Sequence, residues 1–380
     1  MFLRKDDGGV KIKVISVITI CSILLVGCWD RVELNDRAYV ISLALDDIGD
    51  MLEVTYTIPN LPVITAQSSG EATKFIKITK AKTLAQANRD FGKKSNLRIN
   101  FDHTKVIIFG ADFLKDNHNI RKVLDHFDRN PEYSKSLLLL ATKDTGKKLL
   151  ESVPNGEETT GIYLSQVFVN NSLETISAKT IELGNFISDM HSTDGNGVMP
   201  NIVFQDNEVV VDGLAVLRDY ELKGWMEDSY ITPYSWILGK GKNTVALIDS
   251  EGVLIPYEIS DLTTEMDFKI VDDILKINIS IMSEGDIAEY ILEDQDKLFK
   301  NKYIKEIEEE ISNEMEGQID ELLDIIQEDY GIDIIGALNK VKTNNRKVWK
   351  VTKSNWQDFF RAATIEVDCR VNIRRVGLSK

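Results

Sequence analysis

Apolar and polar positions alternate with a period of two in several stretches of the chain, and strands are expected there. Ala38–Asp46 (AYVISLALD) and Met51–Pro59 (MLEVTYTIP) flank Asp47-Ile48-Gly49-Asp50, the pattern of a hairpin. Residues 60–72 read as a loop, Thr73–Thr79 as a short strand and Leu84–Ser95 as a helix. Lys105–Phe109 and Ser136–Thr142 are continuous apolar runs bounded by turn residues, as in strands covered on both faces. Between them, Phe113, Ile120, Val123, Leu124 and Phe127 recur at helical spacing, so one helix is expected over Ala111–Arg129, ending before Asn130-Pro131.

Asp194-Gly195-Asn196-Gly197 is a turn cluster and a candidate domain boundary. Strand patterns follow at Met199–Phe204, Val209–Leu217, Glu221–Trp225 and Thr244–Ile248, with Asp219-Tyr220 at a tight reversal. Thr263–Val271 and Ile274–Met282 predict a second hairpin around Asp272-Asp273, with Ile277, Ile279 and Ile281 facing inward. The longest periodic segment is 295–330. Leu298, Ile304, Ile307, Ile311, Met315, Ile319, Leu322 and Ile326 form one apolar stripe, opposed by a row of glutamates, and Gly331 closes the helix. Such a stripe suits a helix laid across its own sheet better than a coiled-coil seam. Thr364–Val376 alternates again, which makes Cys369 a small core residue.

These patterns predict an α+β, multi-domain protein with mixed or antiparallel sheets and a long helix in its C-terminal half. The expected organisation is 1–27 as a signal peptide, 28–195 as a first α+β domain, 196–260 as a strand-rich middle domain, and 261–380 as a C-terminal α+β domain carrying helix 295–330.

The first residues set the compartment. Arg4, Lys5, Lys11 and Lys13 precede the apolar run Val14–Val26. Thirteen residues at about 1.5 Å each reach about 20 Å, short of the ~30 Å hydrocarbon core, so the run is a secretory signal rather than a span. It ends Leu25-Val26-Gly27-Cys28, the pattern of a bacterial lipobox. Gly27 leaves room for a peptidase, and the Cys28 thiol would carry a diacylglyceryl group whose two acyl chains hold a water-soluble body at a membrane.

Charge and composition narrow the function. The 380 residues carry 45 basic and 61 acidic side chains, a net charge of −16, and removal of residues 1–27 would leave −18. So acidic a surface repels phosphate backbones, and no nucleic-acid partner is expected. Three cysteines, Cys21, Cys28 and Cys369, support neither a disulfide framework nor a zinc site. The four histidines, His103, His118, His126 and His191, form no metal-ligand spacing. Gly239-Lys240-Gly241-Lys242 lacks a P-loop, because Trp236 stands where its first glycine belongs and Asn243 where its hydroxyl belongs. The pairs Asp46-Asp47 and Asp272-Asp273 read as solvated turn residues. No catalytic residue, cofactor or metal site is expected, and the chain reads as a non-enzyme.

Four stretches together resemble the Ger(x)C family, the lipoprotein subunit of spore nutrient-germinant receptors. They are Cys28-Trp29-Asp30 with the following acidic and Asn residues; His103–Gly110 followed by Asp128-Arg129-Asn130-Pro131-Glu132; Gly213–Arg218 with Glu221–Gly224; and Trp349-Lys350, Asn355-Trp356 and the closing strand to Gly377. The chain departs from the family at Gly336-Ala337-Leu338. The resemblance implies a lipid-anchored, non-enzymatic receptor subunit on the outer face of the spore inner membrane. Its partners would be two integral-membrane subunits, and direct contact with a small-molecule germinant is left open. Within those stretches Trp349 and Trp356 are expected to anchor a core, Asp128, Arg129 and Glu132 to pair locally, and Gly213 and Gly224 to serve turns or bulges. The rival reading is the lipoprotein solute-binding component of an importer, which should show two βα lobes around a ligand cleft.

Overall fold

The computed structural model describes Ser16 and residues 36–60, 74–152, 160–171, 181–250, 253–287 and 301–376. The chain enters at β1 (Arg37–Tyr39) and folds into the predicted hairpin, β2 (Ser42–Asp47) and β3 (Leu52–Pro59). Its turn closes with Gly49 at φ +91° and with the Gly49 N–H donated to the Asp47 carboxylate at 2.7 Å. After β4 (Lys74–Ala81), α1 (Leu84–Lys94) is started by Thr83, whose hydroxyl accepts the Gln86 N–H at 3.2 Å. Then come β5 (Arg98–Asn100), which pairs with β1, and the wholly buried β6 (Val106–Gly110).

The expected helix over 111–129 is two helices, α2 (Ala111–Leu114) and α3 (Asn117–Arg129). Asp116 makes the break: its carboxylate accepts the His118 N–H at 2.8 Å and caps a new helix. The chain continues through β7 (Leu138–Thr142), α4 (Gly146–Glu151), α5 (Thr160–Asn171) and α6 (Leu183–Ser192).

Three further strands, β8 (Gly197–Gln205), β9 (Glu208–Arg218) and β10 (Glu221–Met226), complete an eight-stranded sheet of order β10-β9-β8-β7-β6-β2-β3-β4. The Asp194–Gly197 turn therefore lies inside this sheet, although β7 and β8 meet through the single pair Ala141 and Asn201. Asp219 and Tyr220 both take positive φ, as a two-residue reversal requires. Helices cover both faces of the parallel centre. Leu43, Leu45, Ile107, Phe109 and Leu139 pack under α1, α3 and α6, while Ala44, Val106, Ile108, Leu138 and Leu140 pack under α4 and α5.

Past the short α7 (Ile231–Ile237), the chain builds a second sheet of order β11-β12-β13-β14 from β11 (Val245–Ser250), β12 (Val253–Val271), β13 (Ile274–Ile287) and a final strand. The segment 196–260, expected as one middle unit, thus divides between the two sheets, because β8–β10 find their partners in the first and β11–β12 in the second. The β12–β13 turn is Asp272-Asp273, both at positive φ, and Ile277, Ile279 and Ile281 are fully buried.

The long helix is α8 (Asn301–Asp324), which runs into a π-helical turn, Ile325–Tyr330, and ends at Gly331 in the left-handed region. The expected residues 295–300 lie outside the described ones. Ile307, Ile311, Met315, Ile319 and Leu322 are buried, and α8 packs across β14 and β11. Three short helices, α9 (Ala337–Asn344), α10 (Arg346–Thr352) and α11 (Trp356–Arg361), lead to β14 (Thr364–Val376), which pairs in parallel with β13.

β14 is an edge strand, and α8 closes its edge chemically. The Cys369 and Ile373 N–H groups are donated to the carboxylates of Glu316 at 2.7 Å and Glu308 at 2.9 Å. The spacings agree: eight helical residues rise about 12 Å and four strand residues about 13 Å. Two members of the predicted acidic face therefore satisfy a strand edge that would otherwise template another chain. Replacing both Glu308 and Glu316 with alanine is expected to cost about 2 kcal/mol and to produce concentration-dependent association. Denaturant titration and sedimentation velocity check this, and a monomer of unchanged stability would remove the glutamates from that role.

Candidate functional site

Cys28 lies outside the described residues. The four histidines are dispersed. His103 rests against the Tyr39 ring at 5.2 Å, His118 stands exposed beside Asp116, His126 lies against the rings of Phe127 and Tyr133, and His191 is in the last turn of α6. Among the described residues, no three His, Cys, Asp or Glu side chains converge as metal ligands. Cys369 is buried, and burial first, then Glu316 and Asp368, push its thiol up to about 12. It is a protonated small apolar residue, as its alternation predicts.

Of the two aspartate pairs, Asp272-Asp273 is an exposed turn as expected. Asp46 is not: it is buried at the end of β2, where its two carboxylate oxygens accept the N–H groups of Gly146 at 2.7 Å and Lys147 at 2.9 Å. Both donors belong to the first turn of α4, whose free N–H groups draw the carboxylate out of water. Burial raises the Asp46 pKa, and the two backbone hydrogen bonds oppose that rise. A side chain on Gly110 would put its Cβ 2.1 Å from the same carboxylate, so that position has room only for glycine.

A second buried aspartate, Asp333, organises the seam between the two sheets. Its oxygens accept Ala337 N–H at 3.1 Å, Leu338 N–H at 2.6 Å and the Trp356 indole N–H at 3.0 Å. It thus caps α9 and holds α11. Gly336 takes φ +78° and lets the chain turn around the carboxylate. The Asp333 N–H is donated to Gln357 at 3.1 Å. Beside it the fully buried Tyr234 of α7 donates its hydroxyl to the Ile334 carbonyl at 2.8 Å. A cavity of about 230 Å³ lined by Asp189, Thr193, Tyr234, Lys240, Asp333 and Asn339 opens at this seam.

Most of the remaining expectations fall into place locally; Glu132 is the exception, forming no ion pair among the described residues. Trp356 is buried and Trp349 half-buried under Lys342, whose ammonium lies 6.0 Å from the ring centre. Arg129 pairs with Asp125 at 2.7 Å and Asp128 with Lys135 at 2.7 Å. Gly224 sits at a register shift between β9 and β10, the expected bulge. Gly213 is inside β9 at φ +84°, facing the β10 backbone. The hydrogen-bonding roles of Asp46, Asp333, Glu308 and Glu316 have no period in the sequence. A capping aspartate three residues before Gly336 was the one available signal.

A mixed α+β body with an eight-stranded and a four-stranded sheet, joined at a buried polar seam, is thus the class of protein that the fold defines. The crystal structure of the GerBC protein has this fold: it superposes with a TM-score of 0.61 at 18% identity, over 91% of this chain and all of that one. The family description "Spore germination protein N-terminal domain" matches residues 30–204, and "Spore germination B3/ GerAC like, C-terminal" matches residues 212–377. The chain belongs to the Ger(x)C family of spore germination proteins. Its relatives include three from Bacillus subtilis (strain 168). Spore germination protein YndF is 23% identical over 96% of both chains. Spore germination protein B3 is 22% identical over 95% of this chain and 97% of its own, and spore germination protein A3 is 24% identical over 96% of both. These relatives support a role in spore germination.

Proposed function

We propose that this protein is the lipid-anchored, non-enzymatic subunit of a spore nutrient-germinant receptor, held by a diacylglyceryl group on Cys28 at the outer face of the spore inner membrane. The observation that carries the reading is the position of Cys28. It follows the thirteen-residue apolar run with only Gly27 between, and the match to the family begins two residues later. Two integral-membrane subunits are its partners, and it supports assembly of the receptor and its signalling. Tethering confines the body to a thin layer at the membrane, so contacts too weak to hold free proteins suffice. Among the described residues no helix is long and apolar enough to cross a membrane. The solvent face of the second sheet also supports an interaction role. Val245, Leu247 and Leu254 stand exposed there on the paired strands β11 and β12, an apolar patch of the kind that a partner covers.

Cys28→Ala is expected to leave the fold intact, to move the protein from the membrane fraction of spores to the soluble fraction, and to slow the response to nutrients. Fractionation with immunoblotting and a germination assay on the same spores check this. A variant that stays membrane-bound and germinates normally would refute the anchor.

A further inference from the structure

Four strands of the first sheet, β2, β4, β6 and β7, run in one direction, as their pairings require. In sheets of this kind, ligands settle in the crevice beyond the carboxyl ends of the strands, where the following helices part. Here α1 follows β4 and α3 follows β6 by way of α2, and both helices lie on the same face. Between them is a cavity of about 400 Å³, the size of a small-ligand site. Its floor is apolar, with Leu52, Leu84, Phe113 and Val123.

The rim is cationic in a chain of net charge −16. Lys82, Lys122 and Arg129 line the cavity, and Asp125, its one acidic residue, is taken up by Arg129 at 2.7 Å. Lys82 and Lys122 are exposed and form no ion pair among the described residues. Thr83, Leu84 and Ala85 bring the first turn of α1 to the same wall, and that turn carries no acidic side chain. His126 also lines the cavity, and its Nε2 is buried without a hydrogen-bond partner in the structure. A buried imidazole nitrogen left unpaired is costly unless something else meets it.

We propose that this crevice is a binding site for a small organic carboxylate: the apolar body lies against Leu52, Phe113 and Val123, and the carboxylate meets Lys82, Lys122 and the first turn of α1. An inorganic anion would leave the apolar floor uncovered, and a neutral molecule would leave both ammonium groups unanswered. The site is independent of the lipid anchor and of any receptor partner, so it is tested on the purified full-length chain.

The probe is benzoate, with benzyl alcohol and inorganic phosphate as controls, followed by isothermal titration and thermal shift. Benzoate is expected to bind with a dissociation constant on the order of 1 mM, as a ligand of so few atoms allows, and both controls about tenfold more weakly. The double variant K82Q/K122Q should weaken benzoate about tenfold, the loss of a charge-assisted contact. Ala85→Trp, at an exposed position of the same wall, should block binding outright. Both variants should melt like the parent, since neither touches a buried residue. No benzoate binding, binding that survives both variants, or phosphate binding as tightly as benzoate would each overturn the proposal.

Discussion

Asp333→Ala is expected to lower the unfolding free energy by about 3 kcal/mol, and it should do so without touching the surface. The substitution strips three buried donors, the Ala337 and Leu338 N–H groups and the Trp356 indole, of their acceptor. Each such orphan costs about 1–3 kcal/mol, and relief from burying the carboxylate offsets part of the sum. Asp333→Asn retains one acceptor and the shape, so about half the loss is expected. The pH dependence separates charge from hydrogen bonding. Burial raises the Asp333 pKa, and the hydrogen bonds it accepts oppose that rise. The folded state then holds this proton to higher pH than the unfolded chain does. The group's contribution is complete below the unfolded value of about 3.9 and is lost as pH climbs through the folded value. Urea titrations between mildly acidic and neutral pH should show a slope in the parent that Asp333→Asn flattens. Equal slopes would mean that Asp333 does not titrate in that window.

Gly213→Ala is expected to cost about 4 kcal/mol, the larger of the two effects, from one added methyl group. At φ +84° any side chain pays about 1–2 kcal/mol for the left-handed backbone. The new Cβ would also lie 1.9 Å from the Met226 carbonyl oxygen, part of the β10 backbone and unable to swing aside. Separating β9 from β10 adds about 1–3 kcal/mol. Gly49→Ala is the matched control, with φ +91° but nothing within 4 Å of its Cβ. It should lose about 1 kcal/mol, from the backbone alone. Chemical denaturation of the two variants checks the contrast, and equal losses would show that close approach to β10 plays no part.

The difference between these two glycines marks how far the chain could be read in advance. Gly49 was legible as part of a hairpin turn because its neighbours have turn chemistry. Gly213 lies in an apolar strand pattern, and its constraint comes from a carbonyl thirteen residues away. The same holds for the aspartates. Asp272 is the turn residue it looks like, whereas Asp46, in an equally polar pair, is buried because α4 begins beside it, 100 residues later in the chain. For the lysines at the crevice the gap is wider. Lys82 and Lys122 come from different helix approaches, and only the packing of α1 beside α3 puts them on one cavity.

Taken by itself, the order of residues determined the elements and set an expectation for the address. Alternation with period two marks the strands, the stripe from Ile307 to Ile326 marks the long helix, and the charged start, apolar run and Cys28 mark an expected export and anchoring route. These are local properties, carried by neighbours in the chain. Which strand lies beside which, where the eight-stranded sheet gives way to the four-stranded one, and which carboxylates leave water were decided only by tertiary structure. Strand N–H groups and helix ends have the same chemistry everywhere. Their partners, Glu308 for Ile373 or Asp333 for Trp356, are chosen by proximity that the fold alone creates.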